Sequence, residues 1–376
     1  MRALPRLLAA VAVLERAACL HLFGAPLEDY EPGRFVHLRT LSTRASTSTA
    51  VHRDRRSATP ALVVIKRLAP APDEDRRLVR MARAALRSEL RIHNRVGRDP
   101  NVLRPLEAFV DPKTNASVVL VFPHISGGDL RKQTLAPCEA TGAIAQLASG
   151  LAALQAHGVA HRDVHHGNVL VAEGGGGGFG GGGGGRARRR PPKPVDVKLA
   201  DFGLASIVEG QGGFAAAEDA TKDYYDLAFL ALKALGCRGA PRYPRPRRRH
   251  CRALPHAAAS SASGPNDLGT FHAHFEAWCP DPQTAASTLR LPPLEQEEAR
   301  RRGVALAKRM LLNSFEHERR LGPMALCDAS RAANVSSSLA AEWRDAAATC
   351  WSKLYPWPIE INYLYDPYLS RLPMRR

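Results

Sequence analysis

Two short strings in mid-chain, HRDVHHGN at 161–168 and ADFGLA at 200–205, limit what this sequence can fold into more than any other feature. Val169 to Val171 follow the first string, and Val195 to Leu199 lead into the second. Apolar, β-branched runs of this kind read as short strands, so the polar groups beside them belong to turns. Three of those groups offer oxygen chemistry. Asp163 can accept or orient a hydroxyl proton, while the Asn168 amide and the Asp201 carboxylate suit a hard divalent cation.

Length and composition leave room for one two-lobed domain or two ordinary ones. A chain of 376 residues can bury a sizeable core, and 45% hydrophobic residues is a globular content. The net charge of +17, from 53 basic and 36 acidic residues, concentrates in two proline-containing runs at 186–193 and 242–252. Such runs read as solvated loops, so nucleic acid is not expected as a partner. Seven cysteines without a CxxC predict reduced thiols and a cytoplasmic protein, with nuclear or organellar targeting left open. The apolar run 7–14 is too short to span a bilayer and is cut by Glu15 and Arg16. No later segment is a transmembrane candidate.

Ahead of the two strings, strand-like text begins at Arg34 and returns over 61–68 as ALVVIKRL, with a single lysine, Lys66, among β-branched residues. A helix is expected from about Asp73, an acceptable N-cap. In it Leu78, Ala82, Ala85, Glu89 and Ile92 fall at helical spacing, which puts Glu89 on an apolar stripe where a cationic partner would be needed. The run SVVLVFP at 117–123 reads as a buried strand, and Ile144, Leu147, Leu151 and Leu154 mark a long amphipathic helix ending near Gly158. The glycine- and arginine-rich insert 174–194 lengthens what should be a tight hairpin and carries no nucleotide motif, only a flexible loop. A second loop-like insert, rich in proline and arginine, spans 239–265. From Trp343 the tail holds three of the four tryptophans, so it is expected to pack on the domain or on a partner.

Read in order, VVIK, Glu89, HRDVHHGN and ADFGLA resemble the motifs of a eukaryotic protein kinase domain, over about residues 34–330. The resemblance implies an α+β, two-lobed protein kinase-like fold, with a small β-rich N-lobe (34–123) and a larger helical C-lobe (124–330). An N-terminal extension (1–33) and an aromatic C-terminal extension (331–376) would flank it. It also implies ATP and Mg²⁺ as cofactors. Lys66 would neutralise the α- and β-phosphates with Glu89 holding it in place. Phe122 falls at the gatekeeper position, and Pro123, His124 and Ile125 would form the hinge that meets adenine. Asp129 corresponds to the acidic residue that contacts ribose, or else serves only as a helix N-cap. Asp163 would be the catalytic carboxylate, Asn168 and Asp201 the metal ligands, and Asp223 the aspartate that pins the catalytic loop.

The departures from the family are as specific as the matches. No glycine occurs between Gly33 and Gly97, and the phosphate-covering loop reads STRASTSTAV. Each serine or threonine there adds a Cβ where backbone N–H groups should approach phosphates. His165 stands two residues after the catalytic aspartate, where serine/threonine kinases carry a lysine that touches the γ-phosphate. The stretch from Asp201 to Asp223 holds no Ala-Pro-Glu, and Arg320 in HERRLGP thereby lacks the glutamate it would pair with. The expected activity is ATP- and Mg²⁺-dependent phosphorylation of serine or threonine hydroxyls on a protein substrate, with tyrosine left open. The alternative is a pseudokinase acting as a nucleotide-binding or scaffolding module, and phosphorylation of a small molecule is a third reading. Substrate identity and oligomeric state are not legible.

Overall fold

The computed structural model describes residues 21–44, 46–57, 61–114, 117–172, 195–207, 214–237, 297–308, 310 and 338–349. The inserts 174–194 and 239–265, the N-terminal residues 1–20, Arg320 and the tail beyond 349 lie outside the described residues. The chain divides into two compact units: Met1–Asp99, Leu103–His124 and Asp201–Ser206 form one, and Pro100–Val102, Ile125–Ala200 and Ile207–Arg376 the other.

The first unit is built on a six-stranded sheet. Its strands are β1 (Glu28–Asp29), β2 (Phe35–Arg44), β3 (Thr47–Asp54), β4 (Ala61–Leu68), β5 (Glu107–Asp111) and β6 (Ser117–Pro123), in the spatial order β1-β5-β6-β4-β3-β2. The β1–β5 pair is parallel and the others are antiparallel. The SVVLVFP run is buried along almost its whole length, as expected of a strand covered on both faces. β4 alternates instead: Val63 and Ile65 enter a core with Tyr30, Phe35, Phe109, Val119 and Val121, while Lys66 faces the other side. Arg34, at the mouth of β2, ties the sheet together. Its guanidinium reaches Asp54 at 2.6 Å and Glu107 at 2.8 Å and lies 4.7 Å from the Phe35 ring centre.

One long helix, α1 (Arg76–Val96), completes this unit. It starts later than the sequence suggests: the N-cap is Asp75, whose carboxylate accepts from Arg77 N at 2.7 Å, while Glu74 turns back to Ala71 N. Its buried face is Ala82, Leu86, Glu89, Leu90, Ile92, His93 and Val96. Leu78, expected on that face, is exposed because the first turn overhangs the core.

In the second unit α2 (Pro137–Ala156) is the central element. Thirteen of its residues are buried, so it is enclosed on most sides and not merely amphipathic. It packs on α3 (Phe214–Ala234) and on the hairpin of β7 (Val169–Ala172) and β8 (Asp196–Leu199). Gln146 of α2 fixes that hairpin, donating to Val195 O at 2.7 Å and accepting from Val197 N at 3.0 Å. Trp343 is fully buried and donates its indole N–H to the Met310 sulfur at 3.0 Å, so the start of the aromatic tail region does pack inside. Cys138 and Cys237 are disulfide-bonded, contrary to the expectation of reduced thiols. Among the described residues no helix is long and apolar enough to cross a membrane.

Candidate active site

The sheet of the first unit gathers one group of the expected residues. β4 places Lys66 opposite Thr49 on β3 and Leu120 on β6, in the middle of the sheet. Its ammonium lies 2.7 Å from Glu89 Oε2 and 2.7 Å from Asp201 Oδ1. Burial by itself would lower the Lys66 pKa, but the two carboxylates outweigh it and hold the value raised, so the proton stays on the lysine. Asp201 sits in the left-handed region at φ 63, and its Oδ1 also accepts from Gly203 N at 3.3 Å. A Cβ on Gly203 would lie 3.2 Å from that oxygen and 3.5 Å from Lys66 Nζ, so glycine keeps the approach open.

The residue after Asp201, Phe202, is buried against His93 of α1 with ring centres 4.9 Å apart, and His93 in turn meets Phe122 at 5.6 Å. Phe122 is thereby part of an aromatic column, 6% exposed. His93 escaped the sequence reading; its position four residues after Glu89, on the same helix face, is the signal that could have found it. At the end of β6 the backbone N–H of His124 donates to Leu62 O at 3.3 Å, so this amide is already engaged and is not a spare donor for a ligand. Burial, then Arg39, lowers the His124 pKa and keeps its ring neutral.

Ser46 occupies the turn joining β2 to β3, within the stretch that lacks glycines. Its φ is 65, a conformation that glycine adopts without penalty and other residues rarely do. Its hydroxyl is buried without a hydrogen-bond partner among the described residues, while its carbonyl accepts from Ala69 N at 2.7 Å.

The second unit gathers the other group in the loop between α2 and β7. Asp223 of α3, fully buried, accepts the backbone N–H groups of His161 and Arg162, each at 2.6 Å. Burial pushes its carboxyl up to about 7 against the pull of those two amides and Lys222. His161 accepts from Asp163 N at 3.3 Å through Nδ1, leaving Nε2 to donate to Ala200 O at 3.1 Å. Asp163 itself is partly exposed. Asn168 donates its amide nitrogen to Asp163 O at 2.9 Å and Asp163 Oδ2 at 3.0 Å, which leaves the amide oxygen as the atom a hard cation would take. His165 lies 3.4 Å from the same Oδ2.

Asp129 acts as a cap. Its carboxylate accepts from Arg131 N at 3.0 Å and pairs with the Arg131 guanidinium at 2.8 Å, and that arginine lowers its pKa. A ribose hydroxyl at Asp129 would therefore compete with Arg131, a residue the sequence reading passed over although it lies only two positions on.

The pattern of the family described as "Protein kinase domain" matches residues 46–231. Among curated proteins the chain is similar to a probable myosin light chain kinase of Dictyostelium discoideum, 29% identical over 136 residues, which cover 34% of this chain and 36% of that protein. The chain thus spans about a third of the length of the curated relative it matches.

Proposed function

Because this chain carries a protein kinase domain, we propose that it transfers the γ-phosphate of ATP, with Mg²⁺, to serine or threonine hydroxyls of a protein substrate. The observation that carries the reading is the position of Lys66, whose ammonium joins Glu89 and Asp201 at 2.7 Å each. That arrangement offers a fixed cation for phosphate oxygens and, in Asp201, an oxygen donor of the type a hard cation takes.

The residues present fit the cofactors. Asp201 and Asn168 would hold Mg²⁺, which when bound neutralises charge on the phosphoryl oxygens. Lys66 would orient the α- and β-phosphates. Asp163 would accept the proton of the substrate hydroxyl as its oxygen bonds to the γ-phosphorus and the bond to the β-phosphate oxygen breaks, releasing ADP. The relative's name, a light chain kinase, supports a protein as the acceptor.

A second reading, a pseudokinase that binds nucleotide or partners without transfer, is favoured by Ser46. A Cβ occupies the turn where backbone N–H groups should approach phosphate, in a backbone conformation suited to glycine. Incubating the full chain with Mg²⁺ and γ-labelled ATP, alone and with generic protein substrates, separates the two. Label transfer by the parent and none by Asp163→Asn is the expected result. No transfer, with Mg·ATP still raising the melting temperature, would establish the second reading.

A further inference from the structure

Helix α1 carries charge that the domain around it does not use. Seven of its residues are arginine, and its single acid, Glu89, is buried against Lys66. Arg76, Arg80, Arg83, Arg87 and Arg91 follow one another at steps of three or four, so they form one stripe about 22 Å long on the helix surface, with Arg77 at its edge. Glu89 lies two residues from both Arg87 and Arg91, about 200° around the helix, so the stripe faces away from the pair with Lys66.

Among the described residues none of these six guanidinium groups has an ion pair or a hydrogen bond. The Nε atoms of Arg83 and Arg87 are buried and still lack an acceptor. Glu74 and Asp75, just ahead of the helix, are taken by the backbone N–H groups of Ala71 and Arg77. Like charges at helical spacing repel, and cations in the first turn add to the positive end of the helix dipole. The stripe therefore costs the isolated chain stability, a cost that only an anionic surface outside the domain offsets.

Two further residues indicate which surface. Met81 is 58% exposed and Leu78 42%. Met81 follows Arg77 by four positions and Leu78 by three, so large apolar side chains border the basic stripe over its first two turns. The helix has no Phe, Tyr or Trp and so offers no stacking platform for bases. Arginines bordered by exposed apolar side chains match an anionic bilayer, with guanidinium groups among the headgroups and the apolar side chains at the acyl boundary. We propose that α1 docks this chain on an anionic lipid membrane, through the stripe from Arg76 to Arg91 and the apolar edge of Leu78 and Met81. The Lys66–Glu89 pair, on the other side of the helix, stays intact in the docked chain, and the proposal holds whether or not the domain transfers phosphate.

Sedimentation of the full chain with vesicles of phosphatidylcholine, alone or mixed with phosphatidylserine, tests it. The chain should bind the mixed vesicles and not the neutral ones, and high salt should release it. Combining Arg76→Gln, Arg77→Gln, Arg80→Gln and Arg91→Gln should weaken binding at least roughly tenfold. Its melting temperature should equal or exceed the parent's, since glutamine suits a helix and the repulsion is gone. Combining Arg245→Gln, Arg247→Gln, Arg248→Gln and Arg249→Gln removes the same charge elsewhere and should weaken binding far less. Equal losses in the two variants would mean that net charge alone drives association, and the proposal fails. Arg→Lys at the four helix positions should bind vesicles as the parent does, because headgroups require only the charge, whereas a partner read by guanidinium forks would be lost. Leu78→Ser with Met81→Ser should weaken binding severalfold; parent-like binding would overturn the apolar edge. No binding to the mixed vesicles, with capture of poly-glutamate or duplex DNA instead, would assign the stripe to an acidic chain or a nucleic acid and overturn the membrane.

Discussion

Glu89 accepts a hydrogen bond from Lys66 at 2.7 Å with only 1% of its side chain exposed. A carboxylate that far from water is tolerable because the ammonium stands against it. Removing one member of a buried pair strands the other, at a typical cost of about 3–5 kcal/mol. Asp201 remains beside Lys66 when Glu89 is lost, but among the described residues no second cation pairs with Glu89, which keeps only the backbone N–H of Phe202. Lys66→Met should therefore destabilise the chain more than Glu89→Gln, by about 2 kcal/mol or more, partly offset by protonation of the stranded Glu89. Urea denaturation of the three proteins reads this directly, and equal stability of the two variants would contradict the asymmetry. Both variants should bind Mg·ATP more weakly than the parent in a calorimetric titration.

Ser46 holds a positive φ with a buried, unpartnered hydroxyl. Ser46→Gly relieves a left-handed strain of about 1–2 kcal/mol and removes an unsatisfied donor, while the freer unfolded chain takes back roughly 0.5–1 kcal/mol. The variant should be as stable as the parent or slightly more so. It should also bind Mg·ATP several-fold tighter, because the backbone N–H groups of the turn lose the obstructing Cβ. Weaker nucleotide binding in the glycine variant would mean that the serine hydroxyl itself contributes a contact.

Arg34 lowers the Asp54 pKa through a paired hydrogen bond that few waters reach. A carboxyl depressed in the folded state contributes stability that is present above its unfolded value near 4 and is lost as pH falls through the folded value. The first unit should accordingly weaken below about pH 4. Asp54→Asn, which keeps an acceptor but never ionises, should be less stable than the parent at pH 7 and show a shallower loss toward acid. Melting temperatures at pH 7, 5 and 3 for both proteins provide the measurement; parallel curves would remove the Arg34–Asp54 pair from the acid response.

The sequence by itself determined the candidate site residues and their order. Asp163, Asn168 and Asp201 were legible because each sits in a short polar string between β-branched runs, and such strings admit few backbone paths. Lys66 and Glu89 stood out as single charges on apolar stripes, where a charge needs a partner. What pairs with what was decided in three dimensions. Nothing local says that Asp129 is held by Arg131, that Phe122 and Phe202 close on His93, or that Cys138 and Cys237 end in disulfide linkage. His165 is the sharpest case. Its position alone suggests a phosphate contact, yet its Nδ1 accepts the backbone N–H of Gly167 at 3.0 Å. Residue type sets which hydrogen bonds a side chain can make; only the tertiary path of the backbone decides which donor arrives first.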